Sequence, residues 1–341
     1  MRRLLAAAAG FTAIGAALGL AASPRASTQI TVVPPSITVQ PSISEVATAQ
    51  EVAAPVAPMR SSEIALVFSA GGATYMKLAD VTAETMPKHH AAKLISADGI
   101  ETAIARVDES YVANANRAWT RVKVDNTCDA SVTGFYIVSR LTGDTGYSGV
   151  EDESWTASNV LAHGSAVLAA KLDGCSGTFA RDATLPPVII PEKRTNRELV
   201  AKARQAVIAS TPARETQTDY FEYDQNQNWW ESEHAEFTAQ VVKHPTTGVT
   251  WVSMHAHMDH GCGDPEVNVW GLFRLEDDGT LAAVQLRKLG DLWSIDQLVD
   301  LDNDGELEVI GKPWLGLDTV VVRGSGEELE RLSLAFFGCP C

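Results

Sequence analysis

Apolar and polar positions alternate in short runs along most of the chain, with polar or glycine-containing turns between them. A period of two is the mark of a strand with one face on a core. In the first half the runs predict strands at Ile64–Ser69, Thr74–Leu78, Ala92–Ser96, Glu101–Val107, Trp119–Val124, Gly134–Leu141 and Ser165–Leu172. In the second half they predict Glu236–Lys243, Val249–Met258, Val267–Leu275, Leu281–Leu286, Leu307–Gly311, Thr319–Arg323 and Glu330–Phe336. Pro245-Thr246-Thr247-Gly248 and Glu276-Asp277-Asp278-Gly279 sit between adjacent runs as hairpin turns. Only one segment has a clear helical period. Asn196 caps Arg197–Ser210, and Leu199, Ala203, Ala206 and Val207 line one face of it. The expected fold is mainly β (α+β at most), as two antiparallel β-rich domains.

The pattern breaks in two places, and the breaks set the domain limits. Residues 1–26 have a basic start at Arg2 and Arg3, an uncharged run from Leu4 to Ala22 and small residues up to Ala26. This is the form of a signal peptide, so the protein is expected to be exported, to the periplasm or outside the cell. The competing reading is a retained anchor. The weakly hydrophobic Ala/Gly composition and the lack of a basic stop-transfer cluster oppose it, so no membrane span is expected after cleavage. Residues 27–60 hold Pro34, Pro35, Pro41, Pro55 and Pro58 among Thr, Ser, Val and Ala, without aromatics. Such a composition cannot bury enough surface to order itself, and it predicts a disordered linker. The expected domains are then 61–185, a connector with the helix at 186–212, and 213–341.

Charge removes some functions from consideration. A net charge of −16 repels nucleic acid and anionic lipid and favours cations. The first domain holds no nucleophile elbow, phosphate loop or paired catalytic carboxylates, and no catalytic residue is assigned in the chain. In an exported protein Cys128 and Cys175, each near a predicted strand end, are expected to pair. Closing that loop contributes about 3–4 kcal/mol. Cys262 is expected to pair with Cys339 or Cys341, leaving one of the five cysteines over. A mixed His/Cys zinc site built on Cys262 is the alternative. Six of the eight tryptophans lie in the second domain. Tyr220, Phe221, Tyr223, Trp229 and Trp230 can either pack a core or stack a glycan. A glycan or an envelope protein is therefore the partner class considered.

The segment richest in chemistry is Asp300-Leu301-Asp302-Asn303-Asp304-Gly305-Glu306-Leu307-Glu308. Asp300, Asp302 and Asp304 place carboxylates at alternate positions, and Glu306 offers its main-chain carbonyl. Glu308 adds a carboxylate, and Gly305 permits the sharp reversal between them. A hard cation taking six to eight oxygens fits such a loop, so Ca2+ is the expected ion. The EF-hand reading fails because its twelfth position is Gly311 and a strand, not a helix, follows. Over about twelve residues the pattern resembles the calcium loop of FG-GAP and VCBS-type repeats. That resemblance implies calcium ligation by Asp300, Asp302, Asp304 and Glu308. The loop occurs once here, whereas those propellers carry several, so a lone calcium staple is expected and not a propeller.

A second stretch, His255-Ala256-His257-Met258-Asp259-His260, matches H-x-H-x-D-H. It resembles the metal signature of metallo-β-lactamase-like hydrolases. The resemblance implies zinc ligation by His255, His257 and His260, with Asp259 on a second metal or the attacking water. Such enzymes need further histidines downstream, and none follows His260. The functional expectation is an exported calcium-binding protein that works by binding or as part of the envelope. The alternative is a zinc-dependent hydrolase.

Overall fold

Six strands of the N-terminal half close into a barrel. The structure is a computed structural model that describes residues 64–82, 85–86, 91–97, 100–112, 119–142, 156–221, 227–258, 267–289, 292–313 and 319–334. These residues all fall within one compact unit, Val56–Cys341. The signal peptide and linker expected over 1–60 lie outside them. So do Asp259, His260, Cys262, Cys339 and Cys341. Among the described residues no helix is long and apolar enough to cross a membrane.

The elements of the first half are β1 (Ile64–Ala70), β2 (Ala73–Val81), β3 (Ala92–Ala97), β4 (Ile100–Val107), the single turn α1 (Glu109–Val112), β5 (Arg121–Val124), β6 (Cys128–Thr142), α2 (Ala157–His163), β7 (Ser165–Asp173) and β8 (Phe179–Asp182). All strand pairs are antiparallel, in the order β3-β4-β6-β5-β8-β1-β2-β7, and an added β6–β7 pairing closes the ring. Alternation sorts the side chains. Ala65 and Val67 of β1 join Met76, Val122, Val124, Ala130, Leu168, Leu172 and Ala180 in one buried cluster. Every strand of the ring contributes to that cluster, which identifies it as the barrel interior. The intervening Ile64, Leu66 and Phe68 point the other way, into a second cluster outside the barrel. Cys128, at the start of β6, is bonded to Cys175, just past β7, with the Cα atoms 6.0 Å apart. This is the expected bridge.

The second half comprises β9 (Glu192–Arg194), α3 (Arg197–Ile208), α4 (Thr211–Tyr220), β10 (Glu236–Lys243), β11 (Thr250–Met258), β12 (Val267–Leu275), β13 (Leu281–Lys288), β14 (Ser294–Val299), β15 (Glu308–Lys312), β16 (Thr319–Arg323) and β17 (Glu328–Leu332). Five strands form the antiparallel sheet β13-β12-β11-β10-β9 and four form β14-β15-β16-β17. The four-stranded sheet is covered on both faces. Val299, Ile310, Val321 and Leu332 pack with the outer barrel residues. Leu298, Val309, Val320 and Val322 pack with Val242, Trp251, Trp270 and Leu272 of the five-stranded sheet. The unbroken runs Val309-Ile310 and Val320-Val321-Val322 follow from this, since both faces of these strands are dry. On the far side of the five-stranded sheet, Leu199, Ala203 and Val207 of α3 meet Val252, Met254, Ala256 and Met258 of β11. Asn196 caps α3 as expected, its side-chain oxygen accepting from the main-chain N–H groups of Glu198 and Leu199.

The fold is mainly β, as expected. Several elements were not expected. β14 hides because a bulge between Ile295 and Gln297 breaks its alternation. With the bulge, Ile295 and Leu298 share a face although they are three residues apart. α4 falls where the sequence predicts the second β-rich domain to begin, yet Ser210 caps it and Pro212 sits in its first turn. The aromatic group considered for glycan stacking divides. Trp229 and Tyr220 are buried in the core under α3 and α4, and the Trp229 indole N–H donates to the Ala213 carbonyl. Only Phe221 of the described members is exposed. Core packing is the use these two rings serve.

Candidate metal centre

The loop between β14 and β15 begins at a strand end that is held from three sides. Asp300 lies between Val299 and Leu301, both buried in the cluster shared with the barrel. Its own side chain is fully buried. The Asp300 backbone pairs with the connector: its N–H donates to the Ile189 carbonyl (2.9 Å), and the Ile189 N–H donates to the Asp300 carbonyl (3.0 Å). From Asp300 the chain turns through Asn303 and Gly305, both left-handed, at φ 60° and 91°. Asparagine and glycine are the residues that adopt this conformation most readily.

The turn brings Asp300, Asp302 and Asp304 together, one carboxylate oxygen of each lying within 4.8 Å of the others. Asp304 Oδ1 accepts from the Glu306 N–H (2.7 Å), and Glu308 Oε2 accepts from the Leu301 N–H (2.8 Å). Asp300 Oδ2 accepts twice, from the Gly305 N–H (3.0 Å) and from His244 Nε2 (3.0 Å). The tautomer of His244 follows from its other nitrogen. Nδ1 accepts from the N–H groups of Thr246 and Thr247, so the proton sits on Nε2 and the ring is a neutral donor. His244 therefore fixes one oxygen of Asp300 without cancelling its charge.

Two oxygens remain. Asp300 Oδ1 and Asp302 Oδ1 are buried and have no hydrogen-bond partner. A buried carboxylate oxygen left so costs several kcal/mol unless a cation supplies the missing bond. The electrostatics point the same way. Glu308 is pushed up to about 8, first by burial and then by the charges of Asp302, Asp304 and Asp300, against the pull of the Leu301 N–H. Asp302 is raised as well, by burial first and then by Asp304. Four carboxyl groups, those of Asp300 and Glu308 buried, Asp302 half-buried and Asp304 exposed, thus crowd a loop whose one ion-pair partner among the described residues is an uncharged imidazole. All the donors are oxygen, the set that suits Ca2+, Mg2+ or Mn2+ rather than a thiolate- or imidazole-seeking metal. The residues fit a hard divalent cation.

The comparisons with known proteins add no family: no family model matches the chain, and no curated protein and no solved structure is significantly similar to it.

The histidine motif sits elsewhere, at the end of β11. His255 and His257 share a face, with ring centroids 4.9 Å apart, while Met254, Ala256 and Met258 pack on the opposite side against the helices. Trp293 stands edge-on to His257 at 4.7 Å, and His257 Nε2 is 3.6 Å from Glu236 Oε2. His255 is buried, and its Nε2 is 2.7 Å from Asn268 Oδ1. The Asn268 amide donates to the carbonyls of Leu289 and Leu292, which fixes its oxygen toward the histidine. His255 Nε2 is therefore a committed donor. Burial lowers its pKa to about 4, so the ring is neutral at pH 7. Asp259 and His260 lie outside the described residues.

His244 and Ile189 carry much of the loop's geometry and were not anticipated. His244 belongs to a turn whose Pro-Thr-Thr-Gly signature accounts for it fully, and 56 residues separate it from Asp300. Nothing local in the sequence pairs the two.

Proposed function

We propose that this is an exported, calcium-binding β-rich protein in which the loop Asp300–Glu308 holds one structural ion. Its role on this reading is binding or an envelope function. Asp300, Asp302, Asp304 and Glu308 supply carboxylate oxygens, and Glu306 supplies its main-chain carbonyl. The observation that carries the reading is Asp300 Oδ1, an oxygen of a fully buried carboxylate left without a partner beside two more carboxylates. A bound divalent ion supplies the charge this oxygen lacks and lowers the mutual repulsion that raises Glu308. The Cys128–Cys175 bridge supports the exported part, because such bonds persist in oxidising compartments.

Extracellular sites of this class bind calcium at about 10^-4 to 10^-3 M, so the ion is a structural part and not a cytosolic switch. At about 5 mM calcium that affinity stabilises the native state by about 1–2 kcal/mol. Melting the full chain with calcium or with chelator tests the reading. The melting temperature should rise by about 4 °C with calcium, and Asp302→Ala with Asp304→Ala should remove the rise. Identical curves in calcium and in chelator overturn it.

A further inference from the structure

The acidic loop holds two separate segments that contribute no ligand to it, and both attach at Asp300. We infer that ion occupancy locks three pieces of the molecule together: the loop itself, the connector at Val188-Ile189, and the β10–β11 turn from His244 to Gly248. Through the connector the lock reaches the barrel that carries the Cys128–Cys175 bridge. This inference rests on the calcium reading above and extends it from a local staple to a junction.

Each link is visible. On the connector side, Ile189 exchanges both main-chain hydrogen bonds with Asp300. Its neighbour Val188 is gripped by Asn126 of the barrel, whose side-chain amide donates to the Val188 carbonyl (2.6 Å) and whose side-chain oxygen accepts the Val188 N–H (2.9 Å). Asn126 is left-handed at φ 62° in the turn between β5 and β6. Two residues later comes Cys128, bridged to Cys175. Val188 is itself buried with Val299 and Leu301, the neighbours of Asp300. On the hairpin side, His244 donates to Asp300 Oδ2, and its Nδ1 holds the turn through Thr246 and Thr247. The Thr247 methyl stands 3.1 Å from where a Cβ on Gly305 would lie, so the turn and the loop touch.

The energetics make these contacts depend on the ion. Without it, the unpaired oxygens of Asp300 and Asp302 are relieved by moving Asp300 toward water. That movement breaks the Ile189 pair and the His244 bond together, because both end on the same residue. With the ion present, leaving the site forfeits its ligand bonds, and Asp300 stays. A ligand shifts an equilibrium by its differential affinity for the two states. Linkage makes the effect reciprocal, so loosening the connector must weaken ion binding.

Hydrogen–deuterium exchange on the full chain, chelator-treated and then with 5 mM CaCl2, tests this alongside a calorimetric calcium titration. The lock predicts slower exchange, by about tenfold or more, in three places at once: 186–191, 244–248 and 300–308. Protection confined to 300–308 while calcium still binds overturns the lock and leaves the calcium reading standing. Absence of calcium binding overturns both. Asn126→Ala supplies a second test, since Asn126 touches no carboxylate of the loop. The folded variant should bind calcium about three- to tenfold more weakly. An unchanged affinity overturns the lock.

Discussion

The loop at Asp300 and the strand end at His255 both take polar groups out of water, and they resolve the cost in opposite ways. At His255 every observed partner closes a chain: the imidazole N–H donates to Asn268, and the Asn268 amide donates to two carbonyls. At Asp300 the chain stays open. His244 and Gly305 fill one oxygen, and the other is buried with nothing to bond. In the sequence the acidic loop is the leading expectation and the histidine motif the alternative. Bonding separates them in the same direction, because a buried group that is already satisfied needs no ligand, whereas a buried anion with an open lone pair does.

The contrast can be broken at several points, the largest effect first. Asp300→Ala removes a ligand and strands the His244 N–H. Calcium affinity should fall about a thousandfold, equivalent to about 4 kcal/mol, in a calorimetric titration. A loss of less than tenfold would show that the buried oxygen is not a ligand.

Next comes pH. His255 has a folded pKa lowered to about 4 against an ordinary 6.5, so between those values the unfolded chain takes up a proton that the folded chain refuses. Its contribution is therefore complete above pH 6.5 and is lost as pH falls toward 4, amounting to about 3 kcal/mol at most. Glu308, raised to about 8, has the opposite sign: in calcium-free protein its contribution is present below pH 4.5 and is lost as pH rises through 8. Urea denaturation with calcium present, comparing wild type with His255→Leu, isolates the histidine slope. Equal slopes in the two proteins would refute the buried neutral ring.

Asn268→Ala should then cost about 2 kcal/mol by leaving the His255 N–H unpaired, with calcium affinity unchanged. A drop in calcium affinity would mean that the two clusters are coupled. The smallest effect is at His244. His244→Ala should weaken calcium binding about tenfold, or about 1.4 kcal/mol. His244→Gln, which keeps a side-chain N–H donor, should recover part of the loss. If glutamine behaves like alanine, the donated bond to Asp300 is not what His244 contributes.

What could be read in the chain depended on the range of the interaction. The Asn196 cap, the alternating strands and the acidic loop are all signalled within a few residues, whereas the Cys128–Cys175 bridge spans 47 residues and follows from the expectation of export. The bulge in β14 hides that strand, and the alternation of β6 predicts it only from Gly134 because the register shifts between Val132 and Gly134. The barrel's closure lies in the pairing of β6 with both β5 and β7, which no local pattern encodes. The loop's carboxylates are legible because Asp300, Asp302 and Asp304 alternate within five residues of one another. Their partners His244 and Ile189 are not, because each already has a local role in a turn or a connector. The choice between core packing and glycan stacking for Trp229 and Tyr220 stays open in the sequence for a related reason: an aromatic cluster looks the same whether α3 and α4 cover it or solvent does.

A calorimetric titration of the chelator-treated full chain with CaCl2, beside the Asp302→Ala/Asp304→Ala variant, tests the central claim most directly. The account predicts one site in the wild type, with an affinity of about 10^-4 to 10^-3 M, that is absent from the variant. Wild-type protein that gives no binding heat, or a variant that binds calcium equally well, would contradict it.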